Sequence, residues 1–252
     1  MAFAVTLLLS EYATEFKRLL RLMTYNVHSC RGGDGRLKPE RILRVIRHAK
    51  PHVVALQELD GAADSQRFAD ELRMHHFYVE ARAKGTTGFG NALLSRYPGS
   101  VLRYGALPRL HMETEARAAQ WVRLVVPFGK LDIVHTHLGL TDAERLLQVE
   151  RLLSSHWLAE PEAQRYSVLC GDLNARPGTP AYVRLRYRLH DAQLRKGRGA
   201  ATFPALFPVV RIDHVFLSDN LAARHVEVPA HISARLASDH RPLVVDLLPS
   251  EA

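Results

Sequence analysis

Short apolar runs alternate along the chain with segments of helical period. "RLMTYNV" reads as a strand ending near Asn26, and "HVVALQE" as an apolar strand ending in Gln57 and Glu58. Between them, "KPERILRVIRHA" places Ile42, Val45 and Ile46 on one helical face. Pro39 falls in its first turn, where an absent N–H goes unmissed. "DSQRFADELR" predicts a second helix, "HFYVEAR" an extended segment, and "GNALLS" a strand closed by the turn at Tyr97, Pro98 and Gly99. "AQWVRLVVP" and "LDIVHTHL" predict a strand pair around Phe128, Gly129 and Lys130. "TDAERLLQVERLLSSHWL" predicts the longest helix, with Thr141 and Glu144 as a capping box and Leu146, Val149, Leu153 and Trp157 as its apolar stripe. "YSVLCGD", "VVRIDHVFL" and "PLVVDLL" predict further strands, and "PAYVRLR" a short helix in a loop-rich region. No linker-like stretch interrupts the pattern, so residues 22–249 are expected to form a single α/β domain after an N-terminal extension, residues 1–21.

Composition adds limits. The chain has 252 residues, 47% hydrophobic and 24% charged, which suits a globular protein. Cys30 and Cys170 show neither metal-ligand spacing nor a disulfide framework, so a reducing compartment is expected. The chain is also expected to be a cytoplasmic monomer without a stable protein partner. The net charge of +8, carried mostly by arginine, favours polyanions, although genome base composition also enriches arginine. The densest basic cluster, Arg184, Arg186, Arg188, Arg195, Lys196 and Arg198, reads either as a phosphate-binding rim or as a solvated loop. "MAFAVTLLLS" lacks the basic start of a secretory signal and is too short to span a bilayer. Residues 1–20 read as an accessory helix or a misassigned start, with contact at a membrane surface left open.

Polar groups recur where apolar strands end: Asn26, Glu58, Asn91, His137, Asp172 with Asn174, Asp213 with His214, and Asp239 with His240. A carboxylate following "VVAL", as Glu58 does, is costly unless it is paired or holds a cation. In "GDLNARP", an extended backbone would turn Asp172 and Asn174 to one face and Leu173 to the other. Taken alone, this stretch is also an ordinary polar turn.

"TYNVH", "LQEL", "GNALLSRYP", "HTHLGL", "GDLNARP", "RIDHVF" and "SDHRP", in this order, resemble the endonuclease/exonuclease/phosphatase superfamily. The likeness runs from residue 22 to 249 and is nearest to a small bacterial branch of uncharacterised hydrolases that shares "GNALLSRYP", "HLGL" and a TFP…FP…R-I/L-D pattern, which in this chain reads "ATFPALFPVVRIDHVF". It implies a DNase I-like four-layer sandwich: two packed mixed β-sheets flanked by helices, with the site at one end. It also implies a Mg²⁺-dependent phosphodiesterase, with Mn²⁺ as a substitute, acting on a nucleic acid, a phospholipid or a small phosphate ester. On that likeness Glu58, Asn26 and Asp239 are the metal residues. Asp172 activates water, Asn174 holds the water or a phosphate oxygen, and His137 and His240 donate to the phosphate. Asp213 orients His240; an alternative makes the His–Asp pair the general base. Asn91 and Arg117 are expected phosphate contacts, although Arg117 also reads as a surface partner of Glu113 or Glu115.

Several residues read as structural: His28, His75, His76, His135, His214, Trp121, Trp157 and Cys170. The chain lacks the long insertions expected of a DNA-repair nuclease, and "FPVVRIDHVF" matches poorly the motifs of inositol polyphosphate phosphatases. A catalytically dead binding protein should have lost Glu58, Asp172, His137 or His240, and all four are present. "TFPALFP" reads either as packing beneath the site or as a contact for lipid or base.

Overall fold

The computed structural model describes residues 18–83, 88–158, 166–197 and 199–250, without the side chains at 195 and 196. The accessory helix expected over residues 1–20 lies outside them as far as residue 17, as does half of the basic cluster.

The first sheet runs in the order β11 (Leu221–Glu227), β12 (Leu243–Pro249), β1 (Leu20–Asn26), β2 (Val53–Leu59), β4 (Phe89–Ser95), β3 (His75–Arg82). The second runs β5 (Gly99–Ala106), β6 (Ala118–Val126), β7 (Gly129–His137), β8 (Tyr166–Asp172), β10 (Asp213–Leu217), β9 (His190–Asp191). Their inner faces bury Leu22, Val53, Ala55, Leu93, Val122, Ile133, Val168 and Val215 against one another. Helices α1 (Pro39–Ala49) and α2 (Ala62–Leu72), with short α5 (Ile232–Leu236), cover the outer face of the first sheet through Ile42, Val45, Ile46, Phe68 and Ala234. Helices α3 (Asp142–Leu152) and α4 (Pro180–Arg186) cover the second through Val149, Leu152, Ala181 and Leu185. The four-layer α/β sandwich is therefore as expected. Its central strands are apolar on both faces because each is covered on both sides.

Three expectations change. The helix expected to be the longest stops at Leu152, no longer than α1 or α2, and Trp157 reaches the core through turns in which Trp157 N donates to Ser154 O at 3.0 Å. Ser154 starts those turns by donating its hydroxyl to Arg151 O, an alternative to the helical ladder that serine offers readily. Leu152 takes the buried place expected of Leu146, and Glu144, Arg145 and Gln148 join that buried face. The strand read from "VVRIDHVFL" begins only at Asp213, because Val210 pairs back on Phe203. Strands β5, β9 and β11 were not legible. β5 is an exposed edge with no apolar alternation, and β9 has two residues.

Register brings the polar strand ends together. β1 and β2 are parallel, with Asn26 opposite Gln57. β7 and β8 are parallel, with His137 opposite Asp172, and antiparallel β10 sets Asp213 opposite Asp172. One end of both sheets thus collects them.

Candidate active site

Two carboxylate-bearing segments reach the site through unusual backbone. Glu58 has φ +60, and the β2–β4 register slips between Leu56 and Leu59. That bulge re-aims Glu58 out of the pleat toward the strand ends. Asn174 also has φ +49. Asp172 and Asn174 both reach His137 Nε2, at 3.5 and 3.1 Å, but a left-handed turn joins them rather than an extended pleat. Asparagine tolerates that conformation better than most residues. The turn lets Asn174 N donate to Asp172 Oδ1 at 3.0 Å. Just before it, Gly171 has φ +146, and a Cβ there would lie 1.8 Å from Thr136 O, so only glycine fits.

Asn26 joins the two sheets. Its Nδ2 donates to Glu58 Oε1 at 2.9 Å and to Asp172 Oδ2 at 3.0 Å, while its Oδ1 accepts from His28 N at 3.0 Å. Ser238 Oγ donates to Asn26 O at 2.8 Å, tying this strand end to the segment that carries Asp239 and His240.

His137 is buried between donors. Arg117 Nη1 lies 3.2 Å from Nδ1, and Asn174 Nδ2 lies 3.1 Å from Nε2. A neutral imidazole has one acceptor nitrogen, and a guanidinium can only donate. The charged donor therefore claims Nδ1, and the proton sits on Nε2, which has Asp172 Oδ2 at 3.5 Å. Asn174 Nδ2 keeps Leu138 O at 3.0 Å as its acceptor. Burial, then Arg117 and His240, push the His137 pKa well below its ordinary value, so the ring is neutral. Arg117 is itself buried. It does pair with Glu115, at 3.1 Å, but from inside the site rather than on the surface.

His240 has the opposite electrostatics. Its Nδ1 meets Asp213 Oδ2 at 2.8 Å, and its Nε2 lies 3.6 Å from Asp172 Oδ2. Burial opposes its charge, but Asp213 and Asp172 outweigh burial and push its pKa up to about 10. Asp172 is pushed up to about 7 by burial and by Asp213, against the pull of His240 and its hydrogen bonds from Asn26 and Asn174. Imidazolium and carboxylate thus sit together on a cluster buried away from solvent.

The remaining expected residues lie around this centre. Asn91 is buried and donates to Ala118 O at 3.2 Å, next to Arg117. Asp239 is a third exposed and lies 3.6 Å from His28 Nδ1, which brings His28, read as structural, to the rim. His214 packs behind the site, its Nε2 2.8 Å from Ala175 O, and Cys170 is a buried thiol. Arg184 pairs with Glu150 on the outer helical layer.

Two polar groups were missed. Beneath the site, Gln57 Nε2 donates to Thr24 Oγ1 at 3.1 Å and lies 2.7 Å from His135 Nε2, so a buried polar layer links the sheets. Gln57 belongs to "LQEL", which could have flagged it. Behind β10, Arg211 bonds Asp191, and Tyr182 OH donates to Asp191 Oδ2 at 2.7 Å. Arg211 stands two residues before Asp213 in "RIDHVF", the one sequence hint of its place.

A hard cation such as Mg²⁺ takes oxygen ligands, one or two carboxylates and several waters. Glu58 suits it: its side chain is 23% exposed and its protein donor is the neutral Asn26 amide. Asn26 presents Nδ2 rather than oxygen to the carboxylates, so it is better placed to orient Glu58 than to ligate. Asp172, Asp213 and His240 also converge within 4.8 Å. The imidazolium in that group disfavours a cation.

Comparisons with known proteins agree with this architecture. The chain is 27% identical to the uncharacterized protein YbhP of Escherichia coli (strain K12), over 90% of this chain and 95% of that protein. Its fold is similar to an endonuclease/exonuclease/phosphatase from Bacteroides vulgatus (TM-score 0.76, 18% identity, 92% of this chain and 99% of that one). It is also similar to a mannosyl-6-phosphatase of Bacteroides thetaiotaomicron (TM-score 0.74, 17% identity, 91% and 99%). The family model described as Endonuclease/Exonuclease/phosphatase family matches residues 23–240, and the chain belongs to that family, whose members are metal-dependent phosphoesterases or nucleases.

Proposed function

We propose that this protein hydrolyses a phosphodiester by in-line attack of an activated water, with Mg²⁺ as its cation and residues 22–249 as the catalytic unit. The observation that carries the reading is the convergence of His137 Nε2 and His240 Nε2 on Asp172 Oδ2, at 3.5 and 3.6 Å, in surroundings that keep His137 neutral, hold His240 charged and push Asp172 up to about 7. A general base works best with a pKa near the working pH. Asp172 meets that condition, whereas His240 already holds its proton and cannot accept another, which favours Asp172 over the His–Asp alternative.

Asp172 takes one proton from the water as the water oxygen bonds to phosphorus and the bond to the leaving oxygen breaks on the opposite side. Asn26 and Asn174 N hold the Asp172 carboxylate in place. His137 donates through Nε2, and His240 through its own Nε2, to phosphoryl oxygens as charge develops. Asp213 keeps the His240 ring oriented and charged. Glu58, oriented by Asn26, would hold the cation, which when bound neutralises phosphate charge. Arg117 and Asn91 line the phosphate side of the site.

The test is hydrolysis of a chromogenic phosphodiester by purified protein with Mg²⁺, Mn²⁺ or EDTA. Activity should vanish in EDTA, return with Mg²⁺, and fall by about 10²–10⁴ in Asp172→Asn, the range expected for loss of a general base. Hydrolysis indifferent to EDTA, or to His240→Ala, would overturn the reading.

A further inference from the structure

Helix α3 covers the second sheet, yet part of the face it buries is polar. Glu144, Arg145 and Gln148 are all buried there. A buried polar side chain is costly unless it is hydrogen-bonded. Glu144 accepts from Thr114 Oγ1 at 2.8 Å, and Arg145 Nη1 donates to Leu140 O at 2.6 Å. Gln148 uses both ends of its amide: Gly139 N donates to Gln148 Oε1 at 2.8 Å, and Gln148 Nε2 donates to Pro108 O at 3.1 Å. The partners fix the amide's orientation, because Gly139 offers an N–H and proline has only its carbonyl. Gln148 thus joins the loop that follows His137 to the β5–β6 connection. Gly139 permits the close approach, since a Cβ there would lie 2.5 Å from Glu144 Oε2.

Both segments lead directly to the site. Gly139 stands two residues after His137. Between them, Leu138 N donates to Asp172 O at 3.0 Å, and Leu138 O accepts from Asn174 Nδ2 at 3.0 Å. Pro108 follows Leu107, whose N donates to Arg117 O at 2.7 Å. The strand ladder stops short of this pair: β6 and β7 are last in register at Ala119 and Thr136, and Arg117 precedes β6. Arg117 also has a second partner pulling the other way. Glu115, half exposed, lies 3.1 Å from Arg117 Nη2 and 3.2 Å from Arg82 Nη2. With Pro108 released, the connection that carries Glu115 is free to draw the guanidinium outward, off His137 Nδ1.

We infer that Gln148 is a positioning residue for the His137–Arg117 pair: by tying Gly139 to Pro108 it holds Arg117 Nη1 against His137 Nδ1, and so keeps the ring proton on Nε2. Its hydrogen bonds go to backbone, so it acts through the two segments rather than on the reacting groups. The cost to hydrolysis rests on the phosphodiesterase reading above, whereas the tautomer is a property of the unliganded protein. A group displaced by about 1 Å is enough to lower a rate by about 100-fold.

Two variants of the full chain test this. Gln148→Met loses both bonds at similar length, and Gln148→Asn keeps the amide but is one methylene too short to bridge both partners. Ile46→Ala, buried in the helical layer of the first sheet, lowers stability elsewhere by opening a cavity. Nitrogen shifts of His137 at pH 7 report the tautomer without substrate, and thermal unfolding midpoints report stability. Both Gln148 variants should draw the two nitrogen shifts together. Both should also lower kcat on the chromogenic diester about 10–100-fold, with KM changed less than about threefold. Ile46→Ala should lower the midpoint and leave the shifts and kcat as in wild type. Wild-type shifts in both Gln148 variants overturn the inference. So do equal changes in Ile46→Ala, or a failure of both Gln148 variants to fold, since each reduces Gln148 to a stabilising residue. Absence of hydrolysis by wild type sinks the phosphodiesterase reading instead, and the shifts alone then decide the positioning role.

Discussion

Asn26, at the end of a strand in the first sheet, donates to Asp172, at the end of a strand in the second, at 3.0 Å. The same amide nitrogen donates to Glu58 at 2.9 Å. One neutral side chain therefore spaces two carboxylates and couples the sheets at the site. Asn26→Asp would put three carboxylates in contact, where like charges cannot all ionise. We expect kcat on a soluble diester to fall more than about 100-fold and stability to drop by about 1–3 kcal/mol, the cost of unmade buried hydrogen bonds. Wild-type turnover in this variant would show that the bridge is not needed.

Arg117 fixes which nitrogen of His137 carries the proton. In Arg117→Ala the ring loses its Nδ1 donor and a nearby positive charge, so its pKa should rise and both tautomers become accessible. The expected cost is about 10–100-fold in kcat/KM, in line with a misdirected hydrogen-bond donor. Nitrogen chemical shifts of His137 across pH report the tautomer directly. Unchanged shifts would mean that Arg117 only fills space.

Asp213 should control the alkaline side of activity. In the proposed mechanism His240 is a charged donor, so activity should fall as pH rises through its pKa of about 10. Asp213→Asn removes the largest of the three charges that raise that pKa, so the alkaline limb should move to lower pH as well as kcat falling. The same sign holds for stability. The raised pKa contributes stability that is fully present below about 6.5, the unfolded value, and is lost as pH rises through about 10. A pH–rate profile in Asp213→Asn with the wild-type alkaline limb would exclude this role.

His135 should make the fold acid-sensitive. Burial pushes its pKa down to about 3, so between about 6.5 and 3 the unfolded chain binds a proton that the folded chain refuses. The neutral ring's contribution is fully present above 6.5 and is lost as pH falls toward 3. Each unit of pH in that window costs about 1.4 kcal/mol at most. Urea midpoints of wild type and His135→Gln, followed from pH 7 to 4.5, should diverge by roughly 1–3 kcal/mol in the variant's favour. Parallel curves would place the acid sensitivity elsewhere.

Much of the fold was legible because the pattern of buried positions follows backbone period. "PAYVRLR" and "YSVLCGD" match their elements residue for residue, since apolar residues there pack on both sides or along one stripe. The strand at 99–106 was not legible, because an exposed edge carries no apolar alternation to read. The helix after Thr141 was overextended. Its apolar period continues through Trp157, while the chain leaves the helix at Ser154 by a hydroxyl bond that periodicity does not register.

The site divides in the same way. Side-chain chemistry is written in the chain: Glu58, His137, Asp172, Asp213 and His240 are the groups to which the proposed reaction assigns roles, and each follows or precedes an apolar strand. Their number and order also carry the family. The protonation state of each group depends on tertiary contact. Two histidines alike in sequence end in opposite states, His137 neutral under Arg117 and burial, and His240 charged between two aspartates. Protonation depends on neighbours within a few ångströms, and those neighbours come from 20 and 27 positions away along the chain. The 80% exposure of Phe207, on the loop between Phe203 and Val210, is likewise a tertiary fact. Apolar residues read the same in a core and on a surface, and only packing decides which they join.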